Sequence, residues 1–171
     1  MIGLDSPTWQ NLEDAFGAAT RVPVILKRLY ADPTNESATN EAWSSLCHQD
    51  SIYSASIAAT PHLVAAIRNH TLRDRLGLLI LVGAIAACEA EASASVHGDE
   101  DFTRSCAEAG MLLCESICHS NLEENELRHS LSALAGLGGA SKLAKLISNL
   151  DCFIECPNCG TEIEPMESSL L

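Results

Sequence analysis

The chain repeats one short apolar phrase at an interval of 38 residues. Residues 21–29 (RVPVILKRL) align with residues 59–67 (ATPHLVAAI), and each copy carries a proline near its start, Pro23 and Pro61. Apolar residues at helical spacing follow both prolines, and each copy is preceded by a segment that opens with a tryptophan. A period of this length indicates paired helices stacked side by side. We therefore predict an all-α, right-handed solenoid of about four helix pairs.

Apolar residues recur at spacings of three and four over residues 1–150, which predicts one domain of about eight helices. The first helix is expected to start at Pro7, behind Ser6, and to carry an apolar stripe that includes Phe16. Residues 34–40 are expected to form a polar loop, and Pro61 either kinks the fourth helix or starts a new one. The other helices are expected at residues 23–30, around 43–46, and at 51–69, 72–96, from 99 or 101, 122–135 and 141–150.

The composition changes after residue 150. Residues 151–155 and 161–164 alternate in the manner of strands around the segment CPNCG at residues 156–160. We therefore predict a short β-hairpin over residues 151–165 with a cysteine turn at its tip, followed by a loose tail at residues 166–171.

The cysteine turn predicts half of a zinc site. Cys156 and Cys159 lie three residues apart across a tight turn, so both can bind one tetrahedral ion. The first candidates for the other two ligands are Cys114 and Cys118, which share a helix face; the alternatives are His119, His129 and Cys152. The turn can also exist without a metal. A redox role is less favoured, because no helix starts at the motif to lower the thiol pKa.

The net charge of −13 is concentrated in the middle of the chain. Residues 76–127 contain ten acidic residues and one basic residue, Arg104, and therefore carry −9 of the total. Such a field repels nucleic acid and anionic lipid and attracts basic partners, although acidic residues can also serve solubility alone. The acidic residues predicted to bind a partner are Glu89, Glu91, Asp99, Glu100, Asp101, Glu108 and Glu115.

The cysteine content indicates a reducing compartment. The chain has eight cysteines and no N-terminal signal pattern, which favours free thiols in the cytoplasm. Cys47, Cys88 and Cys106 lie on apolar stretches and are expected in the core. The uncharged run at residues 76–88 has thirteen residues, too few to cross a bilayer, and predicts a buried helix.

The histidines do not form a recognisable catalytic set. His48 lies at the expected end of the third helix, shortly before Tyr53, and His62 follows Pro61. A histidine at a helix end usually satisfies carbonyl groups, but the loop around His48 and Tyr53 is also a candidate partner-binding surface. The chain lacks a phosphate-binding glycine motif, a nucleophile elbow and a paired-histidine metal motif, so no catalytic residue is predicted.

Residues 9–68 resemble a family of small bacterial HEAT-like proteins. The resemblance is carried by Trp43, Leu46, His48-Gln49, Ile52-Tyr53, Ala55-Ser56 and Thr60-Pro61-His62-Leu63-Val64, and the CPNCG segment is a second match. Many members of that family are encoded beside polymorphic toxins as immunity proteins. The resemblance implies a HEAT-like fold and an immunity function, and it implies no catalytic residue.

Two classes of function follow. In the first, the protein is an immunity protein whose acidic middle third covers the basic active-site cleft of a toxin, or it is a more general adaptor. In the second, it is a metal-dependent enzyme that uses His48, His62 and the cysteine pair. A HEAT-type DNA glycosylase is a third possibility, disfavoured by the negative charge.

Overall fold

The computed structural model describes residues 1–49, 51–89 and 99–149, together with the strand residues 154–155 and 162–163. Within these residues the chain forms seven α-helices, three two-stranded antiparallel pairs and a five-residue 3-10 helix at Pro7–Asn11. The strands are β1 (Glu13–Asp14), β2 (Gly17–Ala18), β3 (Cys47–His48), β4 (Ser51–Ile52), β5 (Ile154–Glu155) and β6 (Glu162–Ile163). The helices are α1 (Val22–Ala31), α2 (Glu36–Leu46), α3 (Ser54–Ile67), α4 (Leu76–Glu89), α5 (Glu100–His119), α6 (Glu124–Leu137) and α7 (Ser141–Ser148).

The helices pack in two layers. In the first layer α3 lies between α1 and α5, and in the second layer α4 lies between α2 and α6. The consecutive helices α1 and α2, α3 and α4, and α5 and α6 also contact each other, which joins the layers pair by pair. The last helix, α7, packs on α6 and α4. The mostly helical fold expected from the sequence is therefore confirmed.

The centre of the second layer is α4, whose sequence LGLLILVGAIAAC is apolar on every side. An α-helix without a polar face must be covered all round, and α4 contacts α2, α3, α5, α6 and α7. Leu78, Leu79, Leu81 and Ile85 are among the largest fully buried side chains. No helix in the described ranges has the length and apolarity to span a membrane.

Two glycines let α4 and α6 approach each other closely. A Cβ atom added at Gly83 would lie 2.4 Å from the Cβ atom of Ala133, and one added at Gly136 would lie 2.4 Å from the carbonyl oxygen of Gly83. Both distances are far below van der Waals contact. Each helix therefore needs a residue without a side chain at this crossing.

Several sequence-based boundaries are wrong. The predicted first helix is the short 3-10 helix followed by the β1–β2 pair, so Phe16 does not lie on a helix. Residues 36–40 of the predicted loop belong to α2, because Asn35 caps that helix by accepting from the backbone N–H of Ala38 at 2.9 Å. Pro23 lies in the first turn of α1, as expected, but α3 runs through Pro61 without interruption.

The two copies of the nine-residue phrase, which recur at an interval of 38 residues, therefore lie at different places in their helices. In α3 the helix starts after Tyr53, so its first two turns precede the proline. The backbone N–H of Tyr53 donates to the hydroxyl of Ser56 at 2.9 Å, and that hydroxyl donates to the carbonyl of Leu46 at 2.6 Å. This local capping fixes the start of α3 seven residues before Pro61.

The predicted strand pairing at the end of the chain is present. Ile154 pairs with Ile163 and Glu155 pairs with Glu162 in an antiparallel ladder. The CPNCG turn at residues 156–160 and the tail at residues 166–171 lie outside the described residues.

We predict that a single methyl group at the α4–α6 crossing is destabilising. Gly83→Ala is expected to lower the free energy of unfolding by about 1–3 kcal/mol, because the new methyl overlaps Ala133. The matched control is Gly110→Ala in α5, where an added Cβ meets no atom within 4 Å. The control is expected to raise the free energy of unfolding by about 0.5–1 kcal/mol, because alanine favours the helix. Urea titration followed by circular dichroism measures the free energy of unfolding of both variants. A stabilising effect of Gly83→Ala, like that expected for Gly110→Ala, would contradict the close approach of α4 and α6.

Candidate protein-binding surface

The β1–β2 hairpin presents an aromatic side chain to solvent. Phe16 lies in the turn between the two strands and is 63% exposed. The carboxylate of Asp14, which is buried, accepts the backbone N–H of Phe16 at 2.8 Å and Nε of Arg21 at 3.0 Å. Gly17 follows with φ of +115°, a conformation that side chains disfavour. The turn is thus held by a buried carboxylate and a required glycine.

Arg21 joins this ion pair to the aromatic ring. Its guanidinium carbon lies 3.7 Å from the centroid of the Phe16 ring, the geometry of a cation–π contact. The same guanidinium pairs with Asp14, so the carboxylate, the cation and the ring form one connected unit. Phe16 is therefore held in place although most of its surface faces solvent.

His48 lies beside this unit on the second hairpin. Its ring centroid is 6.4 Å from that of Phe16, and the rings are tilted by 50°. His48 pairs with Ser51 across β3 and β4, and Gln49 turns the chain with φ of +49°. The backbone N–H of Ala15 donates to the carbonyl of Ser45 at 3.0 Å, which ties the first hairpin to the end of α2. The exposed Phe16 and His48 thus belong to one joined surface.

A cleft of about 590 Å³ opens next to Phe16 and Arg21. Ile25 lies on its α1 side, and polar side chains of α2 form the rest of the lining: Glu36, Ser37, Asn40, Glu41, Ser44 and Ser45. Glu41 accepts hydrogen bonds from Arg28 at 2.8 Å and from Ser37 at 3.0 Å. Both lower the pKa of the Glu41 carboxyl, and the hydrogen bond from Arg28 has the larger effect. The cleft therefore combines an aromatic ring with the carboxylates of Glu36 and Glu41, the latter already paired with Arg28.

Several of the acidic residues predicted to bind a partner form ion pairs or hydrogen bonds within the molecule. Glu108 accepts Nε and Nη2 of Arg68 at 2.5 and 2.9 Å, and the hydrogen bond from Arg68 lowers the pKa of its carboxyl. Glu115 accepts from the buried Arg75 at 2.7 Å. These two carboxylates connect α5 to the residues between α3 and α4, so part of their charge is compensated inside the fold.

The acidic residues at the start of α5 differ in their roles. Asp99 is the N-cap and accepts the backbone N–H of Phe102 at 3.0 Å. Asp101 pairs with the Met1 ammonium group and with Arg104, and the hydrogen bond from the ammonium group is the main cause of its lowered pKa. Glu100 is exposed. Glu91 and the side chain of Glu89 lie outside the described part of the chain, so their predicted role stays a prediction.

The predicted zinc ligands are only partly described. Cys114 and Cys118 are exposed on α5, one helical turn apart, as expected. Cys152, Cys156 and Cys159 lie outside the described residues. In residues 1–49, 51–89 and 99–149, no group of three or more histidine, cysteine, aspartate or glutamate side chains is arranged to hold a metal ion. The zinc site stays a prediction that depends on the C-terminal cysteines.

His62 joins the N-terminal segment to the first layer of helices. Its Nε2 atom lies 2.7 Å from the carbonyl oxygen of Ile2, so Nε2 carries the proton and donates. Its Nδ1 atom then accepts from the hydroxyl of Tyr30 at 3.1 Å. The His62 ring also packs against Trp9.

Burial lowers the pKa of His62. The hydrogen bond to the carbonyl of Ile2 raises the pKa, but by less than burial lowers it. These contacts are structural, and the metal-dependent enzyme hypothesis loses an accessible histidine.

Phe16 is a candidate binding residue whose environment the sequence pattern predicts wrongly. Its spacing from Trp9 and Leu12 predicts a buried helical stripe, whereas Trp9 is buried, Leu12 half-buried and Phe16 exposed. Gly17 directly after Phe16 is the signal for a turn at this point, since it adopts a positive φ. Tyr53, the other aromatic candidate, is half-buried at the N-cap of α3.

Comparisons of the chain with profiles of known protein families, with curated proteins and with solved structures gave no significant match. The likeness to HEAT-like immunity proteins therefore depends on the sequence motifs alone.

We predict that the free energy of unfolding falls as the pH is lowered through about 6.5. Below that pH the unfolded chain binds a proton at His62 that the folded chain excludes, because the pKa of the folded histidine is lowered. Carboxyls with a lowered pKa, such as that of Glu108, lose their contribution only below about pH 5. Urea titrations between pH 7 and 5 measure the slope of the free energy of unfolding against pH.

The control for this prediction is removal of the histidine. His62→Gln is expected to flatten the dependence of the free energy of unfolding on pH in this range. The same slope in the wild type and in His62→Gln would show that His62 is not the group responsible.

Proposed function

We propose that this chain is a protein-binding module of HEAT-like stacked helix pairs, and that it acts as an immunity protein by binding a basic bacterial toxin domain in the cytoplasm. The layered contacts of α1, α3 and α5 and of α2, α4 and α6 support the stacking of helix pairs. The family resemblance of residues 9–68 supports the immunity function. The observation that carries the binding proposal is the exposed, fixed Phe16.

Phe16 has the properties of an interface anchor. Aromatic and arginine side chains contribute most to protein–protein binding, and anchors that are already held in place lose little entropy on association. The Phe16 ring and Arg21 form such a pair, and Asp14 holds both. The Phe16 ring is 63% exposed, so most of its surface is available for contact with a partner. Contact with a partner supplies a reason for this placement.

The charge of the chain supports a basic partner. The net charge of −13 attracts cationic surfaces and accelerates their encounter, and the cleft next to Phe16 contains Glu36 and Glu41. Toxins that act on nucleic acids need cationic clefts, so an acidic inhibitor is complementary to them. In this proposal the acidic residues accelerate association, and the surface of Phe16, Arg21 and His48 supplies the contact.

We predict that Phe16→Ala weakens binding to the proposed cognate toxin domain by at least about 30-fold, the loss of about 2 kcal/mol that is usual for an anchor. The wild type is expected to protect cells that express the toxin, and Phe16→Ala to protect them poorly. Calorimetry of the purified pair measures the dissociation constant.

The matched control is Met111→Ala, because Met111 is as exposed, at 70%, but lies on α5. It is expected to bind like the wild type. Equal binding by Phe16→Ala and the wild type would move the site away from the hairpin, and failure of the wild type to protect cells would reject the immunity function.

We predict that Glu100→Lys slows association and reduces its dependence on salt, with little change in dissociation. Glu100 is the suitable position because Asp99 caps α5 and Asp101 is paired, so reversal of either of those charges would also disturb the start of the helix. Stopped-flow association rates from low to high ionic strength measure the effect. Rates independent of salt in both proteins would reject the role of the acidic field.

A further inference from the structure

The stack of helix pairs ends at α5 and α6 with an apolar groove between them. Among the described residues, the helices that pack on α5 are α3, α4 and α6, and α7 packs on α6 and α4. On the outer side a groove of about 650 Å³ runs between α5 and α6. Its lining, which contains no charged side chain, includes Ala107, Met111 and Cys114 from α5 and Leu134 and Leu137 from α6.

Large apolar side chains are exposed along this outer side, which we call the α5–α6 face. Met111 is 70% exposed, more than any other large apolar side chain in the described ranges. Leu131 is 41% exposed and lies three residues before Leu134, so both are on the same side of α6. The terminal units of helical-repeat proteins usually have a polar outer face, because no further repeat covers it. The α5–α6 face instead has the apolar surface of an internal repeat.

The absence of charge in the groove distinguishes this face from the cleft beside Phe16. A basic partner is attracted by carboxylates, which that cleft contains and the lining of the groove does not. Two copies of this chain, each with a net charge of −13, repel each other wherever their acidic surfaces meet. An uncharged apolar face is therefore the surface through which two copies can approach.

The α5–α6 face is also large enough and has a suitable shape for a weak dimer. With 20 residues α5 is about 30 Å long, and two packed helices lie about 10 Å apart, so the face covers roughly 600 Å². This area is at the low end for specific interfaces, which bury about 800 Å² on each partner. Met111 projects from the face, and Ala107 and Cys114, one turn to either side, leave space for a side chain from outside.

We propose that the α5–α6 face binds the same face of a second copy in a two-fold dimer, with Met111 of each copy in the groove of the other. Such an interface is isologous, so it closes on itself and does not extend into a filament. The dimer does not depend on the proposed toxin. It also leaves the cleft beside Phe16 free, because the groove and the cleft share no lining residue.

Sedimentation equilibrium from about 1 to 100 μM tests the dimer. The wild type is expected to change from monomer to dimer over this range, because an interface of this size gives weak association. Higher ionic strength is expected to strengthen the dimer, since salt screens the repulsion between two acidic copies. Binding of a basic toxin has the opposite dependence on salt, so either proposal can fail without the other.

Two matched substitutions locate the interface. Met111→Glu is expected to weaken the dimer at least about 100-fold and Leu131→Glu at least about tenfold, because each buries an unpaired carboxylate. The control is Leu146→Glu on α7, where the leucine is 59% exposed and does not line the groove. This variant is expected to dimerise like the wild type. Circular dichroism checks that all three variants are folded.

The thiol of Cys114 reports on the groove directly, because it is exposed in the single chain and lies within the proposed interface. Its alkylation by iodoacetamide, followed by peptide mass spectrometry, is expected to slow several-fold as the protein concentration rises. In Met111→Glu the rate of alkylation is expected to be independent of protein concentration.

A wild type that stays monomeric up to about 100 μM would overturn this proposal, and so would a mass above that of a dimer. A dimer that Leu146→Glu disrupts and Met111→Glu and Leu131→Glu do not would place the interface on α7. A dimer in which Cys114 reacts as fast as in the monomer would equally exclude the α5–α6 face.

Discussion

The arrangement of this protein depends on the burial of one helix. Because α4 is apolar on every side, no single neighbour can cover it, and five other helices pack around it. The closest of these contacts is with α6, where Gly83 and Gly136 remove the side chains that would separate the two backbones. Helices α3 and α5 cover α4 from the first layer, and α2 and α7 lie at its edges. The incomplete cover at Ile80 and Ala84 leaves a cavity beside Trp43.

Buried polar groups connect the parts of the chain that apolar packing does not orient. Arg75, which precedes α4, is buried and donates to Ser116 and Glu115 on α5, and this joins the two layers. His62 holds the N-terminal segment through Ile2. Asp14 holds the turn that carries Phe16. Each of these groups is hydrogen-bonded, as a buried polar group must be, and each fixes the position of one chain segment. The exposed aromatic surface is thus a consequence of buried electrostatics.

Apolar periodicity is most informative where it is long. It identifies both ends of α1, α6 and α7 and the starts of α4 and α5 to within about four residues, because tertiary packing uses the same faces that the pattern marks. The predicted end of α4 at residue 96 lies outside the described residues. Short segments with strong local signals are misread. The spacing of Trp9, Leu12 and Phe16 is helical, but the glycine after Phe16 and the buried Asp14 turn the chain into a hairpin. The apparent equivalence of Pro23 and Pro61 is also misleading, since capping at Tyr53 and Ser56 starts α3 well before its proline.

The sequence by itself determines the helical class, the buried central helix and the acidic charge, because these depend on composition and on the local apolar pattern. The sequence does not determine which carboxylates remain available to bind a partner. Glu108 and Glu115 form ion pairs with Arg68 and Arg75, which lie 40 residues away in the sequence. Nor does it reveal that Phe16 faces solvent beside His48, or that α2, α6 and α7 leave a cavity over α4. These features arise from the packing of distant segments, whose relative positions are decided only when the apolar surface of α4 is buried.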